Sequence, residues 1–168
     1  MLRKLLFLGL LALGNLSHAA MSDTLNVRGT VDHPLTLTTD DLRAFPTQTM
    51  TEMPLTRQNG ADAGKLLSLK GVRLRDLLEK VVLTVRDHND VKKMIVVATA
   101  TDGYRVVFSW AEIFNSPFGD SILVYYEKDG KALGEDEGHI AMISPKDTKT
   151  GPRHVKWLQT LEVRLIAD

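Results

Sequence analysis

The chain has 168 residues and carries 21 Lys and Arg against 21 Asp and Glu. That balance excludes the strong positive field that nucleic-acid binding requires. It contains no cysteine, so disulfides, a thiolate nucleophile and a thiolate-held metal are excluded within this chain, and an apolar core must hold the fold.

The N-terminus reads Met1-Leu2-Arg3-Lys4, then an apolar run from Leu5 to Leu13, then Ser17-His18-Ala19-Ala20. A charged start, a short apolar middle and small residues at a cleavage position are the layout of a secretory signal peptide. Cleavage is expected after Ala19, because Ser17 and Ala19 then fill the two small-residue positions. The expected division is a signal peptide over residues 1–19 and a single domain over residues 20–168. The alternative is an uncleaved anchor, but the apolar run is too short to span a bilayer. Loss of Arg3 and Lys4 leaves 19 basic against 21 acidic residues, about −2. No sustained basic amphipathic helix suits a membrane surface, and lipidation through cysteine is closed. The expectation is a soluble protein of the periplasm, with no nucleic-acid partner and no membrane insertion after cleavage.

Leu25, Val27 and Val31 alternate with polar residues and predict a half-buried strand, followed by a short "LTLT" strand. Thr38 opens a T-x-x-D helix start, and "DDLRAF" predicts a short helix ended by Pro46. "TQTMTEM" is β-like, "PLTRQNGADAG" reads as a polar loop, and "KLLSLKG" as a short strand and turn. Leu74, Leu77, Leu78, Val81 and Val82 at helical spacing predict an amphipathic helix. "DHND" at 87–90 reads as a solvated loop. "KKMIVVATAT" and "YRVVFS" predict a hairpin closed by Asp102-Gly103. Ser109 and Glu112 form a capping box that starts "WAEIFN" as a helix. "SILVYYE" turns at Asp129-Gly130 into "KAL", and "IAMIS" and "WLQTLEVRLI" supply the last strands. Antiparallel hairpins with about three short inserted helices define an α+β fold in one domain.

His33, His88, His139 and His154 share no close ligand spacing, so no metal site is expected. No G-x-S-x-G or phosphate-loop motif is present. The acidic run "GEDEGH" at 134–139 reads as a solvated connection. Two polar loops remain. The first, 55–64, offers Thr56, Arg57, Gln58 and Asn59. The second, 145–157, holds Lys146, Lys149, Arg153 and Lys156 against Asp147 alone, a local excess of about three positive charges. An arginine fork beside an aromatic ring suits an anionic or flat heterocyclic ligand. A solvated loop is the alternative, and Trp157 is expected to pack in the core because it begins an alternating strand.

"ATDGYRVVFSWAEIF", "ILVYYEKDGKAL", "IAMISPKDTKTGPRHVKWLQTLEV" and "GVRLRDLLEKV" together resemble the molybdopterin-binding domain of the sulfite oxidase family, from about Leu25 to the end. The resemblance implies that fold. In the enzymes of that family a cysteine in the loop corresponding roughly to 55–62 ligates molybdenum; here the loop reads "LTRQNGAD", with no soft ligand to replace it. The pattern is similar to small exported proteins that keep the fold without its metal. For such proteins the resemblance implies a non-catalytic role: binding a reduced pterin and relaying it to the periplasmic domain of an inner-membrane cyclic-di-GMP enzyme, with an effect on biofilm formation. It implies a pterin pocket lined by Arg153 with His154 or Lys156, faced by Arg57 and Asn59. Asp102 and Tyr104 of the "DGY" hairpin are further candidates, with a structural role in view. Trp110 either stacks on the ring or packs. The alternative implied function is a periplasmic molybdopterin-dependent oxidoreductase, or a subunit of one.

Overall fold

The computed structural model describes residues 23–166, and the expected signal peptide lies outside the described residues. Ten strands and three short α-helices follow in chain order. They are β1 (Thr24–Gly29), β2 (Leu35–Thr38), α1 (Thr39–Arg43), β3 (Gln48–Thr56), β4 (Asp62–Arg73), α2 (Leu74–Leu78) and β5 (Met94–Ala100). Then come β6 (Arg105–Ser109), α3 (Trp110–Phe114), β7 (Leu123–Lys128), β8 (Lys131–Ala132), β9 (Ala141–Ile143) and β10 (Leu158–Leu165). The strands form two five-stranded sheets. One has the order β2-β1-β10-β5-β6; the other runs β3-β4-β7-β8, with β9 also on β7. The β1–β10 pair is parallel and the remaining pairs are antiparallel, so the sheet-rich α+β expectation holds.

Side-chain alternation decides how the two sheets meet. On β7, Val124 and Tyr126 point into the main core shared with Leu25, Val27, Val96, Phe108 and Leu161 of the first sheet. Leu123 and Tyr125 point the other way, into a smaller cluster with Met53, Leu66, Leu69 and Ile143. A strand with both faces covered reads as a continuous apolar run, which is what "ILVYY" is. The two helix starts read from sequence are present: Thr38 with Asp41, and Ser109 with Glu112, each form a reciprocal capping box.

Three expectations need correction. The amphipathic helix is only Leu74–Leu78, since its apolar face is satisfied once Leu74, Leu77 and Leu78 are buried; Val82 is left exposed. The "PLTRQNGADAG" segment is not a loop, because β3 and β4 continue through it and leave a tight turn in which the Arg57 carbonyl accepts from Gly60 N. "DHND" enters a 3₁₀ helix, His88–Lys93, capped by Asp87. Among the described residues no helix is long and apolar enough to cross a membrane.

The segment after β9 positions the site. Thr150 is buried; its Oγ1 accepts from Thr56 N at 3.0 Å and donates to Pro54 O at 2.9 Å, fastening the segment to the end of β3. A 3₁₀ turn, Gly151–Arg153, follows. Val155 then exchanges two backbone hydrogen bonds of 2.8 Å with Met142 of β9, after which the chain crosses to the first sheet and becomes β10. Residues 151–157 therefore bridge the two sheets.

Candidate functional site

A cleft of about 190 Å³ opens where this crossing passes the β5–β6 hairpin, lined by Asp102, Tyr104, Gly151, His154, Lys156 and Trp157. The hairpin wall is set locally. Gly103 takes φ 89° in the turn, and Asp102 Oδ1 accepts from Tyr104 N at 2.9 Å, a side-chain mimic of a turn. The Tyr104 hydroxyl reaches across and donates to Pro152 O at 2.5 Å, which ties the two walls together.

Trp157 forms the far side, and it is not a core residue as expected. Its backbone sits at φ 50°, a region that costs a bulky residue energy. Three contacts hold it there: Trp157 N donates to Glu137 O at 2.7 Å, Trp157 O accepts from Thr101 N at 3.0 Å, and indole Nε1 donates to Glu135 O at 2.8 Å. Gly138, at φ 72°, lies beneath; a Cβ there would fall 2.7 Å from the indole Cδ1. The indole is thus half-buried, fixed in orientation and adjacent to the cleft. Lys156 Nζ lies 6.0 Å from the Trp157 ring centroid and 3.8 Å from Glu137 Oε1.

Behind the cleft runs a buried polar chain that the sequence reading missed. Glu137, expected to be solvated, is 3% exposed. Its Oε1 takes a salt bridge from Lys128 at 2.6 Å, and its Oε2 lies 3.1 Å from the Tyr125 hydroxyl. The same hydroxyl lies 2.8 Å from His154 Nε2. Burial, reinforced by Glu137, pushes the Tyr125 phenol well above its ordinary range, so it keeps its proton. Burial lowers the His154 imidazole to about 4, outweighing the nearby Glu137 carboxylate. One signal for this chain was in the sequence: a tyrosine in the apolar part of a strand usually seeks a partner for its hydroxyl, as Tyr125 does, although the buried Tyr126 hydroxyl has none among the described residues.

Four of the sequence-named residues, Asp102, Tyr104, His154 and Lys156, meet at the cleft. The other four are placed elsewhere. Arg153 does not offer its fork to the cleft: Nε and Nη2 pair with the Asp147 carboxylate at 2.6 and 2.5 Å, Nη2 also donates to Glu112 at 2.8 Å, and the guanidinium covers the Phe108 ring at 4.4 Å. The Asp147 hydrogen bonds raise its pKa well above the usual value. Arg57 and Asn59 sit exposed on the β3–β4 turn, where Asn59 Oδ1 accepts from Ala61 N at 3.0 Å. Trp110 stacks on Phe114 at 4.4 Å. The expected positive charge is also not gathered at the cleft, because the ammoniums of Lys146 and Lys149 donate to the carbonyls of Pro117 and Gln58 and neither residue lines it. A larger groove of about 480 Å³ runs along the β3–β4 hairpin; it has no aromatic wall, and its Lys65 pairs with Glu52 at 3.1 Å. Among the described residues, no three His, Asp or Glu side chains are grouped to hold a metal ion.

A fold of two sheets bridged by the 151–157 crossing, with a small aromatic-walled cleft, is matched over residues 16–165 by the family model for the oxidoreductase molybdopterin binding domain. The chain belongs to that family, and the sulfite oxidase-like fold expected from sequence is the one observed. Among solved structures it is similar to the sulfane dehydrogenase SoxCD from Paracoccus pantotrophus, with TM-score 0.65 and 19% identity over 86% of this chain. The match covers 39% of that chain, so this chain spans about two fifths of it, and the likeness is one of fold. No curated protein sequence shows a significant match.

Proposed function

We propose that this chain is a periplasmic pterin-binding module, without catalysis of its own, that takes its ligand in the cleft between the Asp102–Tyr104 hairpin and the His154–Trp157 segment. Membership of a molybdopterin-binding family supports a pterin as the ligand class. The observation that carries the location is the convergence of four polar side chains beside an indole locked at positive φ. The residues fit the ring. A flat heterocycle stacks on an aromatic face, and Lys156 supplies a donor. Asp102 Oδ2 has no partner among the described residues, so it is an acceptor for the paired N–H groups of the aminopyrimidine edge. The volume, about 190 Å³, lies below the ~300–1,000 Å³ of drug-sized sites, which suits a bare bicyclic ring. With no cysteine in the chain, the thiolate route to molybdenum has no ligand here, which favours binding over the oxidoreductase alternative.

The relay role follows as the second half of the proposal: the loaded form is recognised by the periplasmic domain of an inner-membrane cyclic-di-GMP enzyme, which affects biofilm formation. Such signalling requires the loaded and empty forms to differ in affinity for the partner. Calorimetric titration of the full chain with a tetrahydropterin tests the binding half. Saturable one-to-one binding is expected, weakened about tenfold by Lys156→Met, which keeps the apolar stem and removes one charged donor. Undiminished affinity in that variant would remove Lys156 from the site, and stoichiometric molybdenum in purified protein would favour the oxidoreductase.

A further inference from the structure

We propose that Glu137 and Tyr125 are positioning residues that fix the proton of His154 on Nε2, so that the cleft presents bare Nδ1 to its ligand as a hydrogen-bond acceptor. The argument is one of proton counting. A carboxylate can only accept, and a phenol has one proton to give. Glu137 Oε1 is held by the Lys128 ammonium at 2.6 Å, and Oε2 faces the Tyr125 oxygen at 3.1 Å. If the phenol did not donate there, two acceptors would face each other in a buried site, at the cost of an unsatisfied charge. The phenol proton therefore goes to Glu137. Toward His154 Nε2, at 2.8 Å, the same oxygen can then only accept, so Nε2 carries the hydrogen. The ring is kept neutral by its burial, which leaves Nδ1 with a lone pair. Nδ1 has no partner among the described residues and is not among the sealed unpaired atoms, while the ring lines the cleft.

The consequence for recognition rests on the pterin reading above. Asp102 suits the aminopyrimidine edge, whose N–H groups are common to all pterins. His154 is then a second acceptor, which reads the other ring. A tetrahydropterin offers N–H groups there, whereas the fully aromatic pterin has only lone pairs, which would meet the lone pair of Nδ1. The expected preference for the reduced ring is about tenfold or more.

The experiment has a spectroscopic arm and a binding arm. Long-range nitrogen–proton NMR of the full-length ¹⁵N-labelled protein reports the His154 tautomer directly, without ligand. The expected result is Nε2–H in the wild type. In E137Q the amide oxygen is claimed by Lys128, so the amide N–H₂ faces Tyr125; the phenol then donates to His154, and the tautomer switches to Nδ1–H. Titration with tetrahydropterin and with fully oxidised pterin should show the wild-type preference falling about tenfold in E137Q. Y125F, which keeps the ring volume, should bring the two affinities within about twofold and serves if E137Q does not fold. An Nδ1–H tautomer in the wild type overturns the inference whatever binds. Equal affinity of the wild type for both rings overturns the selectivity but leaves the pterin reading standing, whereas binding of neither ring overturns the pterin reading and the selectivity with it.

Discussion

His154 lies on the border between the buried polar chain and the cleft, and its titration should be visible in stability. Its native pKa, about 4, lies below the ordinary 6.5. The unfolded chain therefore binds the proton first, and stability is complete above about pH 6.5. It falls as pH drops from 6.5 toward 4 and levels off below, a loss of at most about 3 kcal/mol. Urea denaturation across this window should show the decline in the wild type and a smaller one in His154→Gln; equal slopes would contradict the burial argument. The groups facing the ring are Tyr125, Glu137 and the Lys128 and Lys156 ammoniums. Arg153 plays a different part from the one its sequence position suggested. Arg153→Ala should leave Asp147 and Glu112 without their cation and strip one face of Phe108, costing about 1–3 kcal/mol in unfolding free energy. Pterin affinity measured on the folded variant should change little.

At the scale of elements, the site depends on fasteners between segments distant in sequence. Thr150 joins the crossing to β3 through two hydrogen bonds, and Tyr104 joins it to the β5–β6 hairpin. Thr150→Val keeps the shape but orphans Thr56 N–H, and a loss of about 1–3 kcal/mol is expected, with faster amide exchange at Thr56; unchanged exchange would show that the fastener is dispensable. Much of this level was legible in the sequence. The capping boxes, the Asp102-Gly103 and Asp129-Gly130 turns and the alternation of β1 and β10 are local signals, and each marks an element that is present. The β3–β4 hairpin and the brevity of α2 were not legible, because both are decided by partners far along the chain. The same holds for the site. Asp102, Tyr104, His154 and Lys156 were found through composition, turn chemistry and resemblance. Glu137 was hidden in an acidic run, since its burial follows from Lys128 and Tyr125 on a strand that packs beside it. Trp157 looked like a core residue because nothing in an alternating pattern announces a positive φ.

For the whole molecule, the chain passes between the two packed sheets four times, and the cleft lies beside the last passage, from β9 to β10. The fold is that of a molybdopterin-binding family, while the chain itself carries no cysteine. The most direct test is a titration of the ¹⁵N-labelled full chain with a tetrahydropterin, followed through the indole N–H resonances. Trp157 Nε1–H, which donates to Glu135 O, should shift saturably together with the amides of residues 102–104 and 154–157, while the Trp110 indole, stacked on Phe114, stays in place. Absence of saturable shifts, or shifts confined to the β3–β4 hairpin, would contradict the account.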